Sequence, residues 1–195
     1  MKMGQYFLAY VRDKNKKRGK TFISSCGGLK LTEHSWVGND FMQGVCKKIH
    51  NKPSYVYWVG DYFDPSEDEA KSEMSSDCVS VDFASLWRKK NAKELQDTFD
   101  ISDKYLVNHD LKVYVNMCDY IDMLTCGKTH DKDWVQHPLS LLTAISNGKG
   151  GGDYDVEGLN ADSIGVWKGC LLEITDNIPK DYIDVTEDVL FDDDI

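Results

Sequence analysis

The chain has 195 residues, of which 41% are apolar and 29% charged, a balance that argues against a disordered chain and suits one domain with a buried core. Lys and Arg number 23 against 33 Asp and Glu, a formal net charge of −10, so the surface as a whole is not expected to bind nucleic acid. No stretch reaches the roughly 18 apolar residues of a membrane-spanning helix. The first apolar run, Tyr6 to Val11, precedes its cluster of cations, the reverse of a secretory leader, and Asn-x-Ser/Thr is absent. A cytoplasmic protein with no membrane partner is expected.

Taken in chain order, the residues from Gln5 to Val11 are aromatic and β-branched and predict a strand. A basic turn (Arg12, Lys14, Lys16, Lys17, Arg18, Lys20) leads to a second strand over Thr21 to Ser24. Gly27 and Gly28 break it, and Leu29 to Glu33 alternate as a half-buried strand does. Asn39 is placed to cap a helix whose apolar face is Phe41, Met42, Val45, Cys46 and Ile49, ended by Pro53. Ser54 to Gly60 predict a strong strand, 64–78 an exposed acidic linker, and Asp82, Phe83, Leu86, Trp87 and Leu95 an amphipathic helix. Tyr105 to Val107 and Val113 to Val115, with a turn near His109 and Asp110, predict a hairpin. Pro138 opens a helix through Ile145 that Asn147 and Gly148 stop; a glycine-rich loop and a strand over Val166 to Ile174 follow.

Both halves thus read strand, strand, helix, strand. Tyr6-Phe7-Leu8 matches Tyr105-Leu106-Val107, the Asn39 helix matches the Pro138 helix, and Trp58-Val59-Gly60 matches Trp167-Lys168-Gly169. The expectation is an α+β fold of two related halves about a pseudo-twofold axis, sharing one core within a single domain, 1–195. The N-terminal half-repeat is 1–63, an acidic linker and connecting helix fill 64–103, the second half-repeat is 104–190, and 191–195 is an acidic tail. Charge divides along the same line. Residues 1–60 hold eleven Lys and Arg to three Asp and Glu, whereas 61–195 hold twelve to thirty. A basic partner for the acidic side, or head-to-tail pairing of subunits, is left open.

The segment richest in candidate chemistry is Ser146 to Gly158. Lys149, Gly150, Gly151, Gly152, Asp153 and Tyr154 let backbone amides approach an anion, although a Walker loop would precede its helix. Asp153, Asp155, Glu157 and Gly158 match the start of a calcium loop, but Ile164 stands where a bidentate Glu belongs. A looser divalent-cation site of Asp153, Asp155 and Asp162 remains open, and no other cofactor is expected. Gly-Asp-Tyr occurs twice, at Gly60-Asp61-Tyr62 and Gly152-Asp153-Tyr154, so folding could bring Asp61 and Asp153 together. The five histidines form no zinc signature, and the six cysteines, none at C-x₂-C spacing, read mostly as buried small hydrophobes or inert thiols. The five tryptophans read mostly as core, with one or two able to line a pocket that stacks a base or other flat ligand.

Met3-Gly4-Gln5-Tyr6, Gly28 to Glu33, Trp58-Val59-Gly60-Asp61-Tyr62, Tyr105 to His109 and Leu141 to Tyr154 together resemble a family of small bacterial and phage-encoded proteins. The chain departs at Trp167-Lys168-Gly169-Cys170, where that family usually reads Trp-Ala-Gly-Asp. The resemblance implies origin and compartment rather than a reaction. Without a catalytic motif, the expected function is a non-enzymatic phage or bacterial binding protein. It would dock a host protein or sequester a small anionic, nucleotide-like ligand, as a counter-defence protein does, with Asp61, Tyr62 and residues 149–154 as its candidate site. A metal-dependent phosphohydrolase using Asp61, Asp153 and Asp155, and an acidic mimic of nucleic acid, are the alternatives.

Overall fold

The computed structural model describes residues 6–27, 30–31, 33, 35–61, 92–126, 131–145 and 163–191. Within them lies one mixed nine-stranded sheet with few helices, a mixed α/β architecture. The strands are β1 (Phe7–Asp13), β2 (Lys20–Ile23), β3 (Ser54–Gly60), β4 (Lys93–Glu94), β5 (Tyr105–Asn108), β6 (Val113–Asn116), β7 (Ala144–Ile145), β8 (Leu171–Thr175) and β9 (Ile183–Asp184). Their order across the sheet is β4-β2-β1-β3-β8-β5-β6-β9, with β7 added alongside β3. The edge pairs β2–β4 and β6–β9 and the pair β3–β7 are parallel; the others are antiparallel.

The central strands are buried on consecutive residues, so both faces of the sheet are covered there. Phe7 to Val11 and Val56 to Val59 all lie in the interior. Helix α1 (Asp40–Ile49) forms as expected: the Asn39 side chain accepts the Phe41 and Met42 amides, and the apolar stripe Phe41, Met42, Val45, Cys46, Ile49 is buried. It packs across β1 and β8. Helix α3 (Pro138–Leu142) lies on β3 and meets α1 where the Cys46 thiol reaches the His137 ring. Trp58, fully buried with Phe41 edge-on at 5.7 Å, sits beneath them. Burying such a ring removes enough apolar surface to contribute about 3 kcal/mol.

Several expectations are corrected. Lys30, Leu31 and Glu33 form a turn closed by the Glu33 amide on the Lys30 carbonyl, not a strand; the alternation there comes from one anchor, fully buried Leu31. The second-half helix stops at Leu142 rather than running to Ile145. Strand β8 pairs only with Ser54 and Tyr55 of β3, and Ala144 and Ile145 leave the helix to pair with Trp58 and Val59 above them. The strand expected over Val166 to Ile174 begins only at Leu171, because Gly165 and Gly169 at φ +76° and +79° hold 163–169 in turns. Trp167-Lys168-Gly169 is therefore not a strand matched to Trp58-Val59-Gly60. Helix α2 (Met117–Thr125) was not expected, although Asn116 caps it and Met117, Tyr120, Ile121 and Leu124 repeat at helical spacing. Lys93 and Glu94 are strand and Leu95 is buried but not helical; the expected helix up to residue 91, and the linker 64–78, lie outside the described residues. No described helix is long and apolar enough to cross a membrane.

Candidate functional site

Of the expected site residues, Asp61 is described; Tyr62, Lys149, Gly150, Gly151, Gly152, Asp153, Tyr154, Asp155 and Asp162 lie outside the described residues. Asp61 follows β3, where its amide donates to the Tyr6 carbonyl at 2.9 Å and its carboxylate accepts the Tyr6 amide at 3.1 Å. It thereby closes the β1–β3 ladder. Partial burial raises its pKa, against the lowering by the Tyr6 amide and its own amide on the carboxylate. Among the described residues no group of three or more His, Cys, Asp or Glu side chains is arranged to hold a metal ion.

Two clefts emerge instead. The first, about 310 Å³, lies at the end of the sheet formed by β2 and edge strand β4. Its floor is Val11, Phe22 and Leu95, and its wall carries Lys16, Arg18, Lys20, Lys48, Lys52 and Lys93 against only Asp13 and Glu94. The hairpin between β1 and β2 supplies three of these cations, and the last turn of α1 supplies Lys48. Lys52 holds Asp13 at 3.3 Å. The Asn15 amide on the Asp13 carboxylate, followed by Lys52, keeps that acid below its ordinary range despite some desolvation. One of the two acids is thus already engaged. The hairpin is held in shape by the Gly19 amide on the Tyr10 hydroxyl at 2.9 Å. A side chain at Gly19 would come within 2.5 Å of the Tyr10 ring.

The second cleft, about 410 Å³, is lined by Ser24, Cys26, Trp36, Asp40, Gln96, Asp133 and Trp134 among others. Trp36 and Trp134 lie with ring centroids 4.4 Å apart and planes at 58°. Their backbones are cross-linked by Val37 N–H on the Val135 carbonyl and Gly38 N–H on the Asp133 carbonyl, each 2.9 Å. Trp58 and Trp167 are core, whereas Trp36 and Trp134 line this cleft, with Trp134 58% exposed. Most cysteines are not buried: Cys26, Cys118 and Cys126 are exposed, Cys170 is half-buried, and Cys46 alone of the five described is buried.

No family model, curated protein or solved structure matches the chain. Its chemistry therefore rests on its own geometry.

Two side-chain groupings look reactive at first sight. Cys46 Sγ lies 3.3 Å from His137 Nε2, but His137 Nδ1 already accepts the Leu139 amide at 3.0 Å. The proton of the neutral ring must then sit on Nε2, which donates to sulfur and cannot act as the base that activates the thiol. Burial pushes the thiol pKa well up and the imidazole down to about 3, so both stay neutral. The pair is a packing and capping device. His109 bridges Glu173 through Nε2 at 2.8 Å and the Tyr182 hydroxyl through Nδ1 at 3.0 Å. It ties the end of β5 to β8 and to the segment entering β9. Neither grouping was signalled by sequence, because its members lie in segments far apart in the chain. For the second cleft a signal existed: Trp-Val occurs at Trp36-Val37 and again at Trp134-Val135, three residues before the caps Asn39 and His137.

Proposed function

We propose that the chain is a non-enzymatic binding protein, built by internal duplication, that holds a small phosphate-bearing anion in the basic cleft beside β2 and β4. The observation that carries this reading is six cationic side chains gathered around a 310 Å³ hollow in a chain of net charge −10. Cavities of about 300 Å³ and upward with a few convergent polar groups are the usual form of small-ligand sites. Lysine and arginine heads meet phosphate oxygens by charge-assisted hydrogen bonds, while Phe22 and Leu95 offer an apolar wall to a base or sugar. Lys48 also complements the negative end of α1, which accounts for one cation but not for the convergence of six. For a protein resembling phage-encoded ones, withdrawing a nucleotide-like signal of the host is the corresponding role.

Duplication is supported by registers. If Leu106 stands for Phe7, as the matched sequences suggest, the pairings Phe7 with Gly60 and Leu106 with Ile174 equate Gly60 with Ile174. Ala9 and Asn108 then equate Trp58 with Leu172 and Phe22 with Val113. Phe22 with Lys93 and Val113 with Ile183 equate the edge strands β4 and β9 without slippage. The antiparallel pair β3–β8 at the centre has the direction that a twofold axis normal to the sheet requires. Under that axis edge strand β4, beside the basic cleft, corresponds to β9, beside which lie the acidic Asp184, Glu187 and Asp188.

Calorimetric titration with inorganic phosphate, nucleoside monophosphates, cyclic dinucleotides and an uncharged nucleoside tests the reading. Saturable binding of a phosphorylated compound is expected, falling with salt and weakened at least about tenfold by Lys48→Glu or Lys93→Glu. Both lysines are exposed, so these variants keep the fold. Binding that both variants leave unchanged, or none at all, overturns it.

A further inference from the structure

The cleft at Trp36 and Trp134 has the opposite character to the basic one. Among the described residues no Lys or Arg lines it, and two carboxylates, Asp40 and Asp133, do. Neither carboxylate has an ion pair among the described residues. The aromatic faces add the negative lobes of two indole quadrupoles, so a cation is attracted twice and an anion repelled twice. The amides at the start of α1 would ordinarily repel a cation, but the Asn39 side chain covers those of Phe41 and Met42, and Asp40 offsets the helix dipole. Trp134 keeps more than half its surface in water, although a ring of that size normally gains by burial.

The site is also rigid. The two tryptophans project from main-chain segments that are hydrogen-bonded to each other. At Gly38 even one added methyl group would come within 2.5 Å of Asp133 Cβ, so these segments meet as closely as backbone allows. A preformed aromatic wall on cross-linked backbone loses little entropy on binding.

We propose that this cleft binds an organic cation, a guanidinium or quaternary ammonium group seated against Trp36 and Trp134 with Asp40 and Asp133 as its counter-charges. The volume of about 410 Å³ admits such a head together with the chain that carries it. The site is independent of the basic cleft and of the reading built on that cleft.

The test is titration of the intact protein at constant ionic strength with N-acetyl-arginine amide and with choline, followed by tryptophan fluorescence and calorimetry. N-acetyl-glutamate amide serves as the control. A saturable response to at least one cation is expected, with none to the control. Choline alone would identify a quaternary ammonium compound as the ligand; the arginine amide alone would identify a peptide side chain. The double variant Asp40→Asn, Asp133→Asn should weaken binding at least about tenfold, and Trp134→Ala should abolish the fluorescence response while circular dichroism stays unchanged. Lys48→Glu should leave cation binding unaltered, which separates this test from that of the basic cleft. No saturable response to either cation, or equal affinity in the double asparagine variant, overturns the proposal.

Discussion

His137 shows how a single residue's surroundings fix its chemistry. Desolvation alone moves its pKa from the ordinary 6.5 to about 3. Above pH 6.5 neither the folded nor the unfolded chain protonates it. As the pH falls from 6.5 towards 3, the unfolded chain takes a proton that the folded chain refuses, so stability declines through that window. His137→Asn retains a capping acceptor for the Leu139 amide, and its melting temperature should therefore fall less than the parent's between pH 7 and pH 4. Parallel declines would assign the acid sensitivity to other groups. Gly165 is the second residue whose role is local. At φ +76°, with the Ala144 carbonyl oxygen 2.7 Å from where a Cβ would sit, it admits no side chain without strain. Gly165→Ala is expected to cost about 1–3 kcal/mol in urea unfolding; a neutral result would mean that β7 and the 163–169 turn can move apart.

At the scale of the element, legibility followed periodicity and capping. α1 was read correctly because cap and apolar stripe agree: Asn39, then Phe41, Met42, Val45, Cys46 and Ile49. α2 carries the same signals at Asn116, Met117, Tyr120, Ile121 and Leu124, directly after the hairpin strand β6. The end of α3 and the start of β8 were misread for a different reason. Ala144 and Ile145 form a strand because they pair with Trp58 and Val59 of a distant segment, and no local pattern announces that pairing. Asn39→Ala should lower global stability by about 1 kcal/mol, since it removes the acceptor of two amides from a helix that covers β1 and β8. Thermal melts of the variant check this, and a change below a few tenths would show that tertiary packing alone holds α1 in place.

Across the whole molecule, the sheet order sets a gradient of stability. β1, β3, β8 and β5 occupy the middle and are largely buried, whereas β4 and β9 are two-residue strands at the edges, with Ile183 exposed. Native-state hydrogen exchange should find the slowest amides at Val56 to Val59, Leu106 and Ile174 and much faster ones at Ile183 and Glu94. Uniform protection across the sheet would contradict that ordering. Such short edge strands also limit edge-to-edge pairing between chains, leaving side-chain charge as the main means of contact there.

The sequence alone determined the hairpin β1–β2, α1, β3 and the hairpin β5–β6, together with the uneven division of charge, because these depend on residues within a few positions of one another. Periodicity, capping and turn chemistry are local and can be read in order. The tertiary structure alone decided which of the many charged and aromatic side chains converge. Lys48 and Lys93 join the hairpin cations only because β4 pairs with β2 and the last turn of α1 comes beside it. Trp36 and Trp134 meet only because two turns separated by nearly a hundred residues cross. Such contacts are set by the burial of a shared core, which rewards the total apolar surface removed from water and leaves no mark on any single stretch of chain.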